Sequence, residues 1–200
     1  EAAYALGMRK GQVMRTVLDL GADIINDIWA LRWQDPHNQA TASQVLVAHP
    51  NCGVCLMHMH REPATMQVQP MQGDVVPQVL LFLERSAHDL QVLGVNRARI
   101  MLDPGIGFGK TVAQNFALLA RQAELLNAGY PLLAGWSRKS SLAGMAVNSA
   151  EGGTLSVQDR LAPSLAAALL AAERGASVLR VHDVKETVQA LKVFQAIRST

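Results

Sequence analysis

The chain has 200 residues, 50% of them hydrophobic and 17% charged, with a formal net charge of +2; this excludes a disordered segment and suits one domain with a core of its own. No Lys/Arg run exceeds two residues, which excludes the basic stripe of a nucleic-acid or membrane-surface binder. No apolar stretch approaches the roughly 18 residues of a membrane span and no signal-peptide pattern opens the chain, so a cytoplasmic location is expected.

The opening run, EAAYALGMRK, carries neither an initiator Met nor a strand before its first helix, and it reads as the start of a fragment. From there an amphipathic helical segment followed by glycine and a short β-rich run recurs four times. Gly21 precedes DIINDIW, Gly94 precedes RIMLDPG, Gly129 precedes YPLLAGWS and Gly175 precedes SVLRVHDV. A glycine that closes a helix in the left-handed conformation and then turns into a strand explains each junction. A fifth strand is expected at CGVCLMHMH, near 52–60, with helices at 75–93, 113–128, 159–174 and 184–198. Alternating strands and helices imply a parallel sheet, and apolar strand runs imply helices over its faces.

Two motifs invite readings that their spacing rejects. Cys52, Cys55, His58 and His60 imitate a zinc site. On a strand rising about 3.3 Å per residue, however, Cys52 and His58 lie on the order of 20 Å apart, so buried thiols are expected. DPGIGFGKT, residues 103–111, imitates a nucleotide phosphate loop. That loop needs glycine, four residues and then Gly-Lys-Ser/Thr, and the position five before Gly109 is Pro104, which has no N–H.

Polar groups cluster where the strands end: Asn26 and Asp27, His58 and His60, Asp103, Ser137 to Lys139, and Arg180 to Asp183. A parallel sheet collects these ends on one side. Sites assembled from every strand are the habit of β/α barrels, whereas a doubly wound sheet concentrates its site at one switch point. The expected fold is therefore a TIM (β/α)8 barrel of which about five βα units are present, in a single domain over residues 1–200. Five strands cannot close such a ring.

Asp103 suits a bidentate grip on an H–N–C–N–H edge such as a 2-aminopyrimidinone, the neighbouring glycines letting a flat ring approach; capping its own turn is the alternative. Asn26, donor and acceptor at once, suits the adjoining edge of the ring, or is a turn amide. GWSRKSS places Arg138 and Lys139 at a strand-to-helix junction whose N–H groups attract anions, or forms an ordinary N-cap with two solvated bases. Arg180 and His182, two apart on a strand, share a face and form an anion clamp, with an Arg180–Asp183 pair as the alternative. The chemistry implied is displacement of an anionic leaving group from a bound heterocycle.

GADIINDIWAL, LMHMHREPATMQ, LDPGIGFGKT with NFALL, LAGWSRKSSLAG and GASVLRVHDVKETV, in this order, resemble the dihydropteroate synthase family nearly end to end. The resemblance implies a barrel that dimerises through its late helices. It also implies condensation of 6-hydroxymethyl-7,8-dihydropterin pyrophosphate with 4-aminobenzoate, release of pyrophosphate with Mg2+, and inhibition by sulfonamides. On that basis Asn26 and Asp103 hold the pterin, and Met57, Phe108 and Gly135 line its pocket. Lys139 lies between pterin and aminobenzoate, Ser140 meets the aminobenzoate carboxylate, and Arg180 and His182 take the pyrophosphate. Lys139, Arg180 and His182 are the catalytic candidates. The family's first-strand Asn that helps bind Mg2+, its Thr-Arg pair and its third-strand Asp have no counterpart here. No metal ligand is therefore assigned, the Mg2+ site is expected in a preceding segment, and these residues alone are expected to be inactive or poorly folded. A pterin-dependent methyltransferase and a non-catalytic pterin-binding fragment are the competing readings; the first needs no pyrophosphate clamp.

Overall fold

A computed structural model describes residues 10–32, 41–63, 65–144 and 153–199. The elements follow one another as α1 (Lys10–Asp19), β1 (Ile24–Asp27), α2 (Ala42–Ala48), β2 (Gly53–Met57), α3 (Val75–Val92), β3 (Ile100–Asp103), α4 (Val112–Ala120) and α5 (Gln122–Leu125). Then come β4 (Leu133–Ala134), α6 (Leu161–Glu173), β5 (Val178–Leu179) and α7 (Val184–Arg198). The helix–glycine–strand repeat is the local cause: Gly21, Gly94, Gly129 and Gly175 all take positive φ, between 72° and 97°, closing the preceding segment as glycine alone does without strain. Where α2 and α4 start, Thr41 and Thr111 form reciprocal capping boxes with Gln44 and Gln114.

All strand pairings are parallel. β1 pairs with β2 and β2 with β3, β4 pairs with β5, and a bridge from Leu102 to Leu132 joins the two groups. Spatial order thus equals chain order from β1 to β5. That order contains no reversal, hence no switch point of the doubly wound kind, and it is the order of an open barrel arc. The strands are shorter than their apolar runs. β2 ends at Met57 rather than near His60, and β5 ends at Leu179, so Arg180 and His182 follow the strand instead of sharing a strand face.

The register sorts the side chains. Val54, Leu56, Ile100 and Leu102 pack in the core against the helices, with Val79 and Leu83 of α3 and Leu118 of α4. The alternate positions turn to the other face of the arc: Asn26 beside Cys55 beside Met101, then Met57 beside Asp103. Both edges of the arc are open. Ile24 is 53% exposed on one, and on the other a groove of about 910 Å3 runs between β5 and α7, lined by Leu179, Val184, Leu191 and Phe194.

Candidate active site

β3 delivers Asp103 to the carboxyl end of the sheet, where the residue is 2% exposed. Its Oδ1 accepts the Gly105 N–H at 2.7 Å, so the carboxylate caps its own turn. Burial pushes its acidity toward the protonated form, opposed by the Gly105 N–H and by the nearby charges of Arg180, Lys139 and Lys110.

The glycine-rich loop after Asp103 turns its polar groups inward. Gly107 N–H donates to Asn115 Oδ1 at 2.9 Å, Gln67 donates to Gly107 O at 2.7 Å, and Met71 N–H donates to Gly109 O at 2.9 Å. A phosphate loop points its N–H groups outward; here two of them are already taken by Asp103 and Asn115. Gly105 and Gly109 also do not clear space for a ligand as expected. A Cβ at Gly105 would stand 1.8 Å from His58 O and one at Gly109 would stand 2.6 Å from His60 Cβ. Both glycines let the loop press onto the chain that follows β2. Gly105 also meets Met57, whose Cγ would be 3.3 Å from its Cβ, and Gly107 faces Lys139, whose Cδ is 3.5 Å from where its Cβ would be.

Arg138 and Lys139 part company. Arg138 has φ 58° and donates from Nε and Nη2 to the two carboxylate oxygens of Asp183, at 3.1 and 2.5 Å. Asp183 is therefore the partner of Arg138 and not of Arg180. Lys139 instead sets its ammonium 4.5 Å from the centre of the Phe108 ring, and burial, helped by the Arg180 charge, lowers its proton affinity. Ser140 is exposed in a three-residue 3-10 turn, Ser140–Leu142, and among the described residues no α-helix starts at this junction.

Arg180 is exposed and not buried in a strand. Its guanidinium lies over Gly135, where a Cβ would come within 2.9 Å of Nη2, and among the described residues it has no hydrogen-bond partner. His182 Nδ1 stands 2.9 Å from Ser137 Oγ, which also accepts the His182 N–H at 3.1 Å. Met57, 2% exposed, sits next to Asp103 in the register, and Asn26 is on the same face one strand further. Of the other strand-end groups, Asp27 is buried with Oδ2 accepting Leu31 N–H at 2.6 Å, and His58 is buried against Lys110. Both serve the scaffold rather than the rim.

Cys52 donates to Gly53 O at 2.9 Å, and burial raises both thiols above their ordinary range. Among the described residues no three His, Cys, Asp or Glu side chains gather to hold a metal. The arrangement brings a buried carboxylate, an ammonium over an aromatic ring and an unpaired guanidinium to one end of a parallel arc, which suits a neutral heterocycle bearing an anionic group.

The chain is similar to known proteins over most of its length. Residues 8–182 match the family described as pterin binding enzyme. The dihydropteroate synthase of Haemophilus influenzae is 42% identical over 187 residues, spanning 94% of this chain and 63% of that protein. Dihydropteroate synthase from Stenotrophomonas maltophilia superposes with a TM-score of 0.85 at 41% identity, over 96% of this chain and 67% of that one. The Xanthomonas albilineans enzyme in complex with 7,8-dihydropteroate gives 0.81 at 40% identity, over 96% and 65%. The chain spans just under two thirds of the length of curated relatives such as the Haemophilus enzyme. With the family pattern met over residues 8–182 and relatives about 40% identical along nearly the whole chain, the chain belongs to the pterin-binding enzyme family.

Proposed function

We propose that this chain carries the pterin and leaving-group side of a dihydropteroate synthase, condensing 6-hydroxymethyl-7,8-dihydropterin pyrophosphate with 4-aminobenzoate. The observation that carries the reading is the convergence of Asp103, Lys139 and Arg180 at the carboxyl end of the arc, with each cation influencing the buried carboxylate. Asp103, with Asn26 one register row below, grips the amidine-like edge of the pterin; Met57, Phe108 and Gly135 bound the ring. Arg180 and His182 face the pyrophosphate, and their hydrogen bonds strengthen as charge develops on the departing oxygen. Lys139 lies between the two substrates and Ser140 beside the aminobenzoate carboxylate. The arylamine nitrogen then attacks the exocyclic methylene as the C–O bond to pyrophosphate breaks, and it loses a proton. Kinship to an enzyme that has been seen with 7,8-dihydropteroate and with 4-aminobenzoic acid supports the substrate pair. Mg2+, homodimerisation and a cytoplasmic location belong to the same proposal.

Calorimetry on the gene-encoded protein tests it. Asp103→Asn should weaken 6-hydroxymethylpterin binding at least about tenfold, as expected for a lost charge-assisted bidentate contact. Arg180→Ala should weaken the pyrophosphate ester by a similar factor while sparing the pterin without pyrophosphate. Equal binding of ester and alcohol by the wild type would remove the pyrophosphate clamp and favour the methyltransferase reading.

A further inference from the structure

Lys110 is a lysine in the interior, 3% exposed, with no assigned part in the chemistry. Its Nζ lies 2.9 Å from Gly105 O, 3.2 Å from Phe108 O and 2.9 Å from His58 Nδ1. An ammonium has three hydrogens and no lone pair, so three acceptors satisfy the charged form completely. For His58 Nδ1 to accept, the imidazole must be neutral with its proton on Nε2. His58 is fixed from the other side by an edge-on contact with Phe82, with ring centres 4.9 Å apart, and Arg32 lies 4.6 Å over the far ring. Burial, and after it the charges of Lys110 and Arg32, push His58 down to about 2, which agrees with the neutral ring the geometry demands. Two of the three bonds hold carbonyls of the loop that carries Phe108, the ring on which Lys139 rests.

We propose that Lys110 is a positioning residue for the pterin pocket: its ammonium ties the Gly105–Phe108 turn to His58 at the end of β2, and so sets the Phe108 ring and the Asp103 carboxylate in place. This rests on the pterin reading above. The residue acts through the loop and touches no reacting atom. Its removal leaves two loop carbonyls and a ring nitrogen without their donor, at a point where Gly105 already packs against His58 O.

The test combines nitrogen-15 NMR of the histidine side chains at pH 6 with calorimetric binding of 6-hydroxymethylpterin, on the gene-encoded protein. The wild type should show His58 neutral with its proton on Nε2. Lys110→Met should move the His58 Nδ1 resonance toward that of a free ring nitrogen and weaken pterin binding about tenfold. A His58 that is protonated or carries its proton on Nδ1, or a Lys110→Met protein that binds pterin as the wild type does, overturns the proposal. Should Lys110→Met fail to fold, His58→Phe removes one acceptor while keeping a ring against Phe82. A loss of about threefold or more supports the tie, and unchanged affinity overturns it. Wild-type protein that binds no pterin overturns the pterin reading and the role built on it, while the His58 tautomer separately reports whether the Lys110 bond exists.

Discussion

The left-handed backbone of Arg138 sends two adjacent basic side chains in different directions. The Arg138 guanidinium closes a two-point fork on Asp183, while the Arg138 backbone N–H donates to Ser164 Oγ at 2.9 Å and the Arg138 backbone carbonyl accepts from Arg160 at 3.0 Å. Lys139 is thereby left to the site. The fork holds the Asp183 carboxyl below its ordinary range, so its contribution to stability is present above the unfolded carboxylate range and is lost as pH falls through the depressed folded value. Arg138→Ala should therefore lower the melting temperature at pH 7, and the gap to wild type should narrow as pH falls below the ordinary carboxylate range. A gap that does not narrow on acidification would assign the effect to packing. Lys110 also favours the folded state as pH rises, through a burial cost that is relieved and not a bond that forms: burial takes it from 10.5 to about 7, against the pull of Asp103. Below about pH 7 folded and unfolded chains both carry the proton, and the cost of burying it is felt in full. Between there and 10.5 only the unfolded chain binds the proton, so the folded state gains with rising pH. Urea titrations at pH 6.5 and 9.5 should give a rise for wild type that exceeds that for Lys110→Met by a few kcal/mol, on the order expected for such a shift. Lys139 and Cys55 titrate in both proteins, so the difference isolates Lys110.

At the scale of elements, the glycine loop between β3 and α4 is held by close approach and by inward hydrogen bonds. Gly105 has φ 67° and would place a Cβ 1.8 Å from a backbone oxygen; Gly21 has φ 97° and nothing within 4 Å. Gly21→Ala should cost about 1 kcal/mol of unfolding free energy and Gly105→Ala about 2–4 kcal/mol, because only the second must move the neighbouring chain. Equal costs for the two would mean that backbone conformation alone matters. α4 starts from a capping box whose Gln114 also donates to Met71 O at 2.7 Å, so the loop's far end is fixed as firmly as its start. Asn115, 1% exposed, spans from Gly107 N–H to Ser141 Oγ and joins the glycine-rich loop after β3 to the loop that carries Lys139. In the sequence Asn115 is simply one residue of NFALL, with no local pattern to mark it as a bridge.

Across the whole molecule the consequence of an open arc is exposed apolar surface at its ends: Ile24 at 53%, Val184 at 60%, Val193 at 62% and Ile197 at 69%. Unpaired strand edges and contiguous apolar faces favour association. The 200-residue chain prepared alone is expected to sediment as a species larger than a monomer and to enhance the fluorescence of a hydrophobic dye. A monomer that leaves the dye dark would mean that these edges are covered within the chain.

Local rules alone determined the alternation of helix and strand, since each glycine that ends a helix and each apolar run that follows acts over a few residues. They also placed Asp103, Lys139 and Arg180 at strand ends, and the family motifs carried the rest of the site assignment. What only the tertiary structure decided is which polar group faces which partner. Asp183 belongs to Arg138, 45 residues away, and His58 to Lys110, 52 residues away. Those choices depend on the register of strands and on the packing of loops from different βα units. The strand ends at Leu179 because the β4–β5 ladder stops there, so the i, i+2 rule that put Arg180 and His182 on one strand face had no strand to act on. Sequence spacing fixes direction only while the backbone stays regular; beyond the last ladder bond, long-range contacts choose.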